Sequence, residues 1–190
     1  KRELTPYPSL FLGSQSLSPF EVSRMYQTIA SNGFKLPQRA IREVTDVHGE
    51  SLSRYPFRIE QAIAPQAAFL LQHALQEVMQ TGTGRSVYWT LPKALHVAGK
   101  TGTTNENRDS WFAGFSGDYL GVFWLGRDDN GPTPLTGSSG ALRLWTDFFK
   151  RIPQYPLEME KPSGVEYYWI DQTTGRHTDK QCKGAQLLPV

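Results

Sequence analysis

Between Leu95 and Gly126 the sequence LHVAGKTGTTNENRDSWFAGFSGDYLGVFWLG sets three apolar, β-branched or aromatic runs between two short polar breaks. The runs cover roughly 95–104, 110–116 and 119–126. Asn105 to Asp109 makes the first connection. Ser116-Gly117-Asp118 makes the second, a tight turn in which glycine supplies the unusual dihedral angles. Connections this short join antiparallel neighbours. The third run, YLGVFWLG, is apolar nearly throughout, which predicts a central strand or one covered on both faces.

The flanking segments read as the cover for that sheet. LSPFEVSRMYQTIASNG predicts a helix with both ends marked: Ser18 as N-cap, Pro19 at the first helical position, Glu21 completing a capping box, and Gly33 as a left-handed stop. Its apolar spacings of four are Phe20, Met25 with Ile29, and Val22 with Tyr26. Residues 39–55 carry β-branched runs around His48-Gly49-Glu50 and predict a hairpin. AIAPQAAFLLQHALQEVMQTGTG predicts a second helix, apolar at Ala68, Leu71, Leu75, Val78 and Met79 and ending at Gly82 and Gly84. A last helix, about 138–150, places Leu142, Trp145, Phe148 and Phe149 on one stripe. Beyond Pro153 the chain turns Pro-, Gly- and polar-rich, with a small hairpin expected at VEYYWI and its turn DQTTGR. The expectation is an α/β (α+β) fold, a central antiparallel sheet with helices on both faces. Residues 1–152 form the main body and 153–190 an appendage packed on it.

Composition narrows the function classes. A chain of 190 residues buries roughly 70% of the surface its unfolded form exposes, enough for a real core. Its 20 basic residues give a net charge of only +2 and form no cluster, which argues against nucleic acid as a partner. Cys182 is the single cysteine, so the chain holds no internal disulfide. No run approaches 18 apolar residues and KRELTPYPSL has no signal-peptide core. The piece is therefore expected to be soluble, whatever anchor a longer protein carries. His48, His73, His96 and His177 are widely spaced and form no metal-ligand motif.

The chemistry concentrates at Gly99-Lys100-Thr101-Gly102-Thr103. A phosphate-binding loop ending at Gly99-Lys100-Thr101 needs its first glycine at position 94, which is Ala94. It also needs a helix to follow, where SWFAGF is strand-like. As a strand, the segment puts Lys100 and Gly102 on one face and Thr101 and Thr103 on the other. Lys100 attracts a carboxylate, and the hydroxyls of Thr101 and Thr103 are spaced to hold one between them. Gly102 lets an extended peptide lie along the strand by β-augmentation, and the Thr103 N–H is placed to donate to a developing oxyanion.

TGTGR, HVAGKTGTTNENRDSWFAGFSG and VFWLGRDDNGPTPLTGSSGAL together resemble the C-terminal half of a penicillin-binding transpeptidase domain. Within that family they are similar to the bifunctional class A penicillin-binding proteins of the 1B type of Gram-negative bacteria. LTPYPSLFLGSQSLSPFEVSRMYQTIASNG extends the resemblance over most of residues 4–150. It implies the serine β-lactamase/transpeptidase fold and no cofactor. Lys100, Thr101, Gly102 and Thr103 would be the third active-site element: the lysine polarises the site, the threonines hold the terminal carboxylate, and the Thr103 N–H is half of the oxyanion hole. Thr104, Asn105 and Asp109 fall at the cleft edge. The implied partners are peptidoglycan stem peptides ending in D-Ala-D-Ala, β-lactams, protein activators and the upstream half of the same domain. The implied place is the periplasmic face of the bacterial inner membrane, with a glycosyltransferase domain and an anchor upstream.

The family also needs a nucleophile in Ser-x-x-Lys and a second element, Ser-x-Asn. No serine here has lysine three positions on or asparagine two positions on. The resemblance therefore implies a chain that supplies one wall of the cleft and is inactive alone. A non-catalytic peptide-binding module is the reading from another class, and a β-lactamase is a third. The four-residue Lys-Thr-Gly-Thr argues against the first, and the long segment after it, GRDDNGPTPLTG with the tail, against the second. Trp111, Phe112, Phe123, Trp124 and Trp145 are expected in the core, His73 buried or semi-buried, Arg127-Asp128-Asp129-Asn130 as a strand-end turn, and Arg85 as structural or at the cleft rim.

Overall fold

The computed structural model describes residues 7–13 and 15–190, and of Phe11 and Leu12 the backbone alone. The part of the resemblance that falls on residues 4–6 and Ser14 lies outside the described residues.

Helix α1 (Pro19–Ala30) begins as the sequence requires. Ser18 Oγ accepts the Glu21 N–H at 3.3 Å and Glu21 returns the bond to the Ser18 N–H at 2.8 Å. Gly33, at φ 86°, donates to the Thr28 carbonyl and closes the helix. The apolar face departs from the spacing rule. Tyr26, Ile29 and Ala30 pack on the sheet, whereas Phe20 and Met25 remain exposed. Ser18→Ala is expected to cost about 1 kcal/mol of stability through the lost cap, read as a lower urea midpoint with unchanged slope.

Four short strands follow: β1 (Phe34–Lys35), β2 (Glu43–Thr45), β3 (Ser51–Arg54) and β4 (Glu60–Gln61). β2 and β3 form the expected hairpin, closed by Asp46, whose carboxylate accepts the N–H of His48 and Glu50. β1 pairs with β4 at the base of this arm. Helix α2 (Pro65–Gln80) then buries Ala68, Phe69, Gln72, Leu75 and Met79. Leu71, expected on the apolar face, is exposed. Buried Gln72 donates to the Ile29 carbonyl and Asn32, tying α2 to the end of α1.

The central sheet has the order β5–β6–β7, all antiparallel, from β5 (Ala98–Thr103), β6 (Asp109–Phe115) and β7 (Leu120–Gly126). The first strand starts later than position 95, because Lys93–Leu95 makes a 3₁₀ turn and His96 sits at φ 48°. Of the two alternatives its composition left open, a central strand or one covered on both faces, β7 is the second: β6 is central, and β7 lies at the edge of the described sheet. β7 earns its apolar run through cover on both faces, where α1 lies over one and helix α3 (Ala141–Phe149) over the other. Phe112, Trp145, Phe149, Leu142, Met79 and Val97 form the core between the sheet and α3. Leu75, Ala98, Phe115 and Leu157 form a second core on the opposite face. Helices thus cover both faces of the antiparallel sheet.

α3 starts three residues later than expected because Ser138–Gly140 make a turn. Ser110, fully buried, fixes that start: its Oγ donates to the Thr136 carbonyl at 2.7 Å and accepts the Ala141 N–H at 2.9 Å. Phe148 is half exposed, its ring resting on Phe123 and Phe149. In the tail, β8 (Tyr167–Asp171) pairs with β9 (Ala185–Pro189), not across DQTTGR as the sequence suggests. The turn at Gly175 exists, but the chain returning from it makes only a bridge at His177, and the partner strand comes later. Leu157, inserted beside Leu75, and Gln186, bonded to Glu77, lay the tail on α2.

Candidate active site

β5 pairs on one side only, with β6, and in antiparallel ladders successive residues direct their backbone groups to alternate sides. Thr104 N–H donates to the Asp109 carbonyl, and the register runs Lys100↔Ala113, Gly102↔Trp111. Residues 98, 100 and 102 therefore bond β6, while the N–H and C=O of Thr101 and Thr103 point outward. Among the described residues no strand pairs with that edge. Lys100 brings its charge there, its Nζ donating to the outward Thr101 carbonyl at 2.9 Å.

The side chains alternate as the strand requires. Thr101 and Thr103 face away from Lys100 and Gly102. Thr101 Oγ1 lies 2.7 Å from Thr83 Oγ1, sharing one hydrogen with it. Thr103 Oγ1 accepts the Gly137 N–H at 2.8 Å, so its own O–H is left to donate. Gly137 reaches the strand because it has no side chain: a Cβ there would meet the Gly102 carbonyl oxygen at 2.6 Å and that of Trp111 at 2.8 Å.

The strand's far end is locked by Asp109. Its carboxylate accepts Thr104 Oγ1–H at 3.0 Å and Trp124 Nε1–H at 2.8 Å, and its N–H donates to Thr104 Oγ1. Asn105 opens a single 3₁₀ turn beyond this lock and is exposed. Of the sequence-named residues, Lys100, Thr101, Gly102, Thr103 and Thr104 line one groove of about 830 Å³ between the sheet and the segment leading into α1; Asn105 is not among its walls. Trp111 and Trp124, expected in the core, form part of the groove, their ring centroids 6.2 Å apart. Trp124 is 41% exposed. Tyr26 closes the opposite wall, and burial pushes its phenol above the ordinary value.

Arg127 to Asn130 is the turn expected of it, with Asn130 N–H bonded to the Arg127 carbonyl. The Arg127 guanidinium, with the Gly131 N–H, holds the Asp129 carboxyl down at about 2. His73 is half-buried, edge-on to Tyr167. Thr83 and Gly137 had no reading of their own in the sequence, although both sit in the TGTGR and TGSSG runs that carry the resemblance.

Residues 9–121 match the penicillin binding protein transpeptidase domain family. Penicillin-binding protein 1B of Vibrio cholerae is 44% identical over 99% of this chain, which spans 24% of that relative's length. A crystal structure of penicillin-binding protein 1A from Haemophilus influenzae superposes with a TM-score of 0.83 at 22% identity, covering 95% of this chain and 33% of that one. Penicillin-binding protein A of Mycobacterium tuberculosis, solved as a ceftriaxone acyl-enzyme, superposes with a TM-score of 0.57 at 17% identity over 72% of this chain and 33% of that one. The match covers more than half of the chain, its Lys-Thr-Gly-Thr strand included: the chain belongs to the penicillin-binding protein transpeptidase family, alongside the 1B proteins of Gram-negative bacteria.

Proposed function

We propose that this chain forms the Lys-Thr-Gly wall of a peptidoglycan D,D-transpeptidase that works through a serine acyl-enzyme and is acylated by β-lactams. One observation carries the reading: on the unpaired edge of β5, the outward N–H of Thr103 stands beside the Lys100 ammonium and two threonine hydroxyls. In the intact protein a serine from upstream attacks the penultimate D-Ala carbonyl of a stem peptide. Thr103 N–H stabilises the oxyanion, a contact worth roughly 2.7–4 kcal/mol in comparable sites. Thr101 and Thr103 hold the terminal carboxylate, Gly102 lets the peptide lie against the strand, and Lys100 polarises the nucleophile's surroundings. Thr104 and Asn105 form the cleft edge. Terminal D-Ala leaves, and an amine from a neighbouring stem takes the acyl group.

In this reading residues 1–152 are the C-terminal part of the catalytic domain and 153–190 an appendage. The intact protein works at the periplasmic face of the inner membrane, with protein activators among its partners. No helix among the described residues is long and apolar enough to cross a membrane. Fluorescent penicillin labelling tests the whole: a stable adduct is expected on the intact protein and none on the isolated 190-residue chain. An adduct on the isolated chain would refute the division of labour. Rapid loss of the adduct from the intact protein would replace the transpeptidase by a β-lactamase.

A further inference from the structure

The arm that carries β2 and β3 stands away from the body of the molecule. Every residue from 37 to 62 is exposed except half-buried Asp46. The arm is nonetheless apolar: Ile41, Val44, Leu52 and Tyr55 all face solvent, and Val47 is 94% exposed. A ribbon of two strands is marginal in water, and stable structure takes three or more. Among the described residues no further strand pairs with either edge of this ribbon.

The two edges differ. β3 is guarded, since Leu52 is the extra residue of a bulge and Pro56 follows the strand. Both devices discourage pairing. β2 has neither. Tyr55 N–H donates to the Arg42 carbonyl and Asp46 N–H donates to the Glu50 carbonyl, so residues 42 and 46, and Val44 between them, bond inward to β3. The N–H and C=O of Glu43 and Thr45 consequently point outward, ready for another strand.

We infer that the β2 edge is a self-association surface, at which a second copy of this protein adds its own β2 antiparallel to the first. The two ribbons then form a single sheet in the order β3–β2–β2–β3. What selects a second copy is that the segment Arg42-Glu43-Val44-Thr45-Asp46 is complementary to itself. With the two-fold axis at Val44, Glu43 of each copy faces Thr45 of the other, and each such pair exchanges both of its backbone hydrogen bonds. Val44 packs on Val44 of the second copy. Arg42 falls opposite Asp46 of the second copy, once on each side of the axis, and opposite charges at facing positions favour the pairing. Both groups are available for it. Among the described residues Arg42 has no carboxylate within ion-pair distance. Asp46 accepts the N–H of His48 and of Glu50 through Oδ1 alone, which leaves Oδ2 to an incoming guanidinium. Shifting one strand by two residues keeps outward groups facing each other but sets Arg42 against Val44, or Val44 against Asp46. The charge pattern therefore fixes one alignment as well as one occupant.

The test uses the intact protein in a background without other cysteines, Cys182→Ser included. In this register the two Val44 positions form a non-hydrogen-bonded pair with Cα atoms about 4.5 Å apart, within the span of a disulfide. Val47 falls opposite Ile41 of the second copy, so the two Val47 positions lie roughly 20 Å apart. Under mild oxidation Val44→Cys is expected to give a linked dimer about tenfold faster than Val47→Cys. Exposure alone predicts the reverse order, since Val47 is the more exposed of the two. Sedimentation supplies the second readout. Val44→Lys sets two ammonium groups face to face, and Arg42→Glu sets a carboxylate against Asp46. Each is expected to raise the dissociation constant of the dimer about tenfold. Wild-type melting and penicillin labelling check that these changes leave the fold and the cleft alone. Linking of Val44→Cys no faster than that of Val47→Cys overturns the inference, and so does an unchanged dissociation constant in both charge variants. Neither result bears on the transpeptidase reading, which stands or falls with the labelling.

Discussion

Lys100→Ala in the intact protein is expected to lower the rate of penicillin acylation by on the order of 10²–10⁴-fold, the range typical of losing a group that assists proton transfer or charge stabilisation. The side chain is exposed, and its ammonium is bonded to one carbonyl, that of Thr101, at the strand edge. Its removal therefore opens no cavity and strands no buried partner, so stability should change by no more than about 0.5 kcal/mol. A large kinetic loss beside an unchanged melting curve separates a role in chemistry from a role in folding. Arginine is not an equivalent replacement, because a planar fork on a longer stem cannot place a compact charge at the same point. Lys100→Arg should recover only part of the rate. Acylation of Lys100→Ala at the wild-type rate would reduce this lysine to a scaffold position and leave it no role in the chemistry.

Much of this architecture was legible because its determinants are local. The Ser18–Glu21 capping box and the Gly33 stop each depend on residues within a few positions of one another, and each stands where the sequence puts it. The turn at Ser116–Asp118 also stands where expected, but Gly117 takes no positive φ there; it donates to the Tyr155 carbonyl, and a Cβ on it would strike the Pro156 carbonyl. The β5 alternation followed from strand geometry alone, and with it the placement of Lys100 and Gly102 against Thr101 and Thr103. The open and mistaken readings involve distance along the chain. The run YLGVFWLG predicts a strand that is central or covered on both faces, because an apolar run reports how well a strand is covered and not what lies beside it; β7 proved covered by α1 and α3 at the edge of the described sheet. Trp124 reads as core by composition, yet its indole N–H is needed at Asp109 and its ring lines the groove. In the tail, the turn at Gly175 marked where the chain reverses but not which later residues would complete the ladder. The contacts of Thr83 and Gly137 were invisible for the same reason: their partners lie 18 and 34 residues away.

That last pair supplies the most exposing test of how the fold serves the site. Gly137→Ala adds one methyl group, yet its Cβ would stand 2.6 Å from the Gly102 oxygen, 2.8 Å from the Trp111 oxygen and 2.9 Å from the Gly102 nitrogen. All three are backbone atoms held in the β5–β6 ladder, so no side chain can swing aside to make room. Either the loop before α3 retreats or the strand does. Retreat of the loop breaks the 2.8 Å bond from Gly137 to Thr103 Oγ1 and strains the Ser110–Thr136 bond beside it. Overpacking of this kind costs about 1–3 kcal/mol, and the lost hydrogen bond adds about 1 kcal/mol. Displacement of Thr103 matters more to activity, since misplacing a catalytic contact by about 1 Å can cost on the order of 10²-fold in rate. The expected result is therefore a lower melting temperature together with acylation slowed by about 100-fold. Ser138→Ala, which keeps the backbone contact and removes only a hydroxyl, should fall short of it on both measures. If Gly137→Ala melts and acylates like the wild type, the loop before α3 is not what holds Thr103 in register, and the outward N–H must owe its position to the Asp109 lock alone.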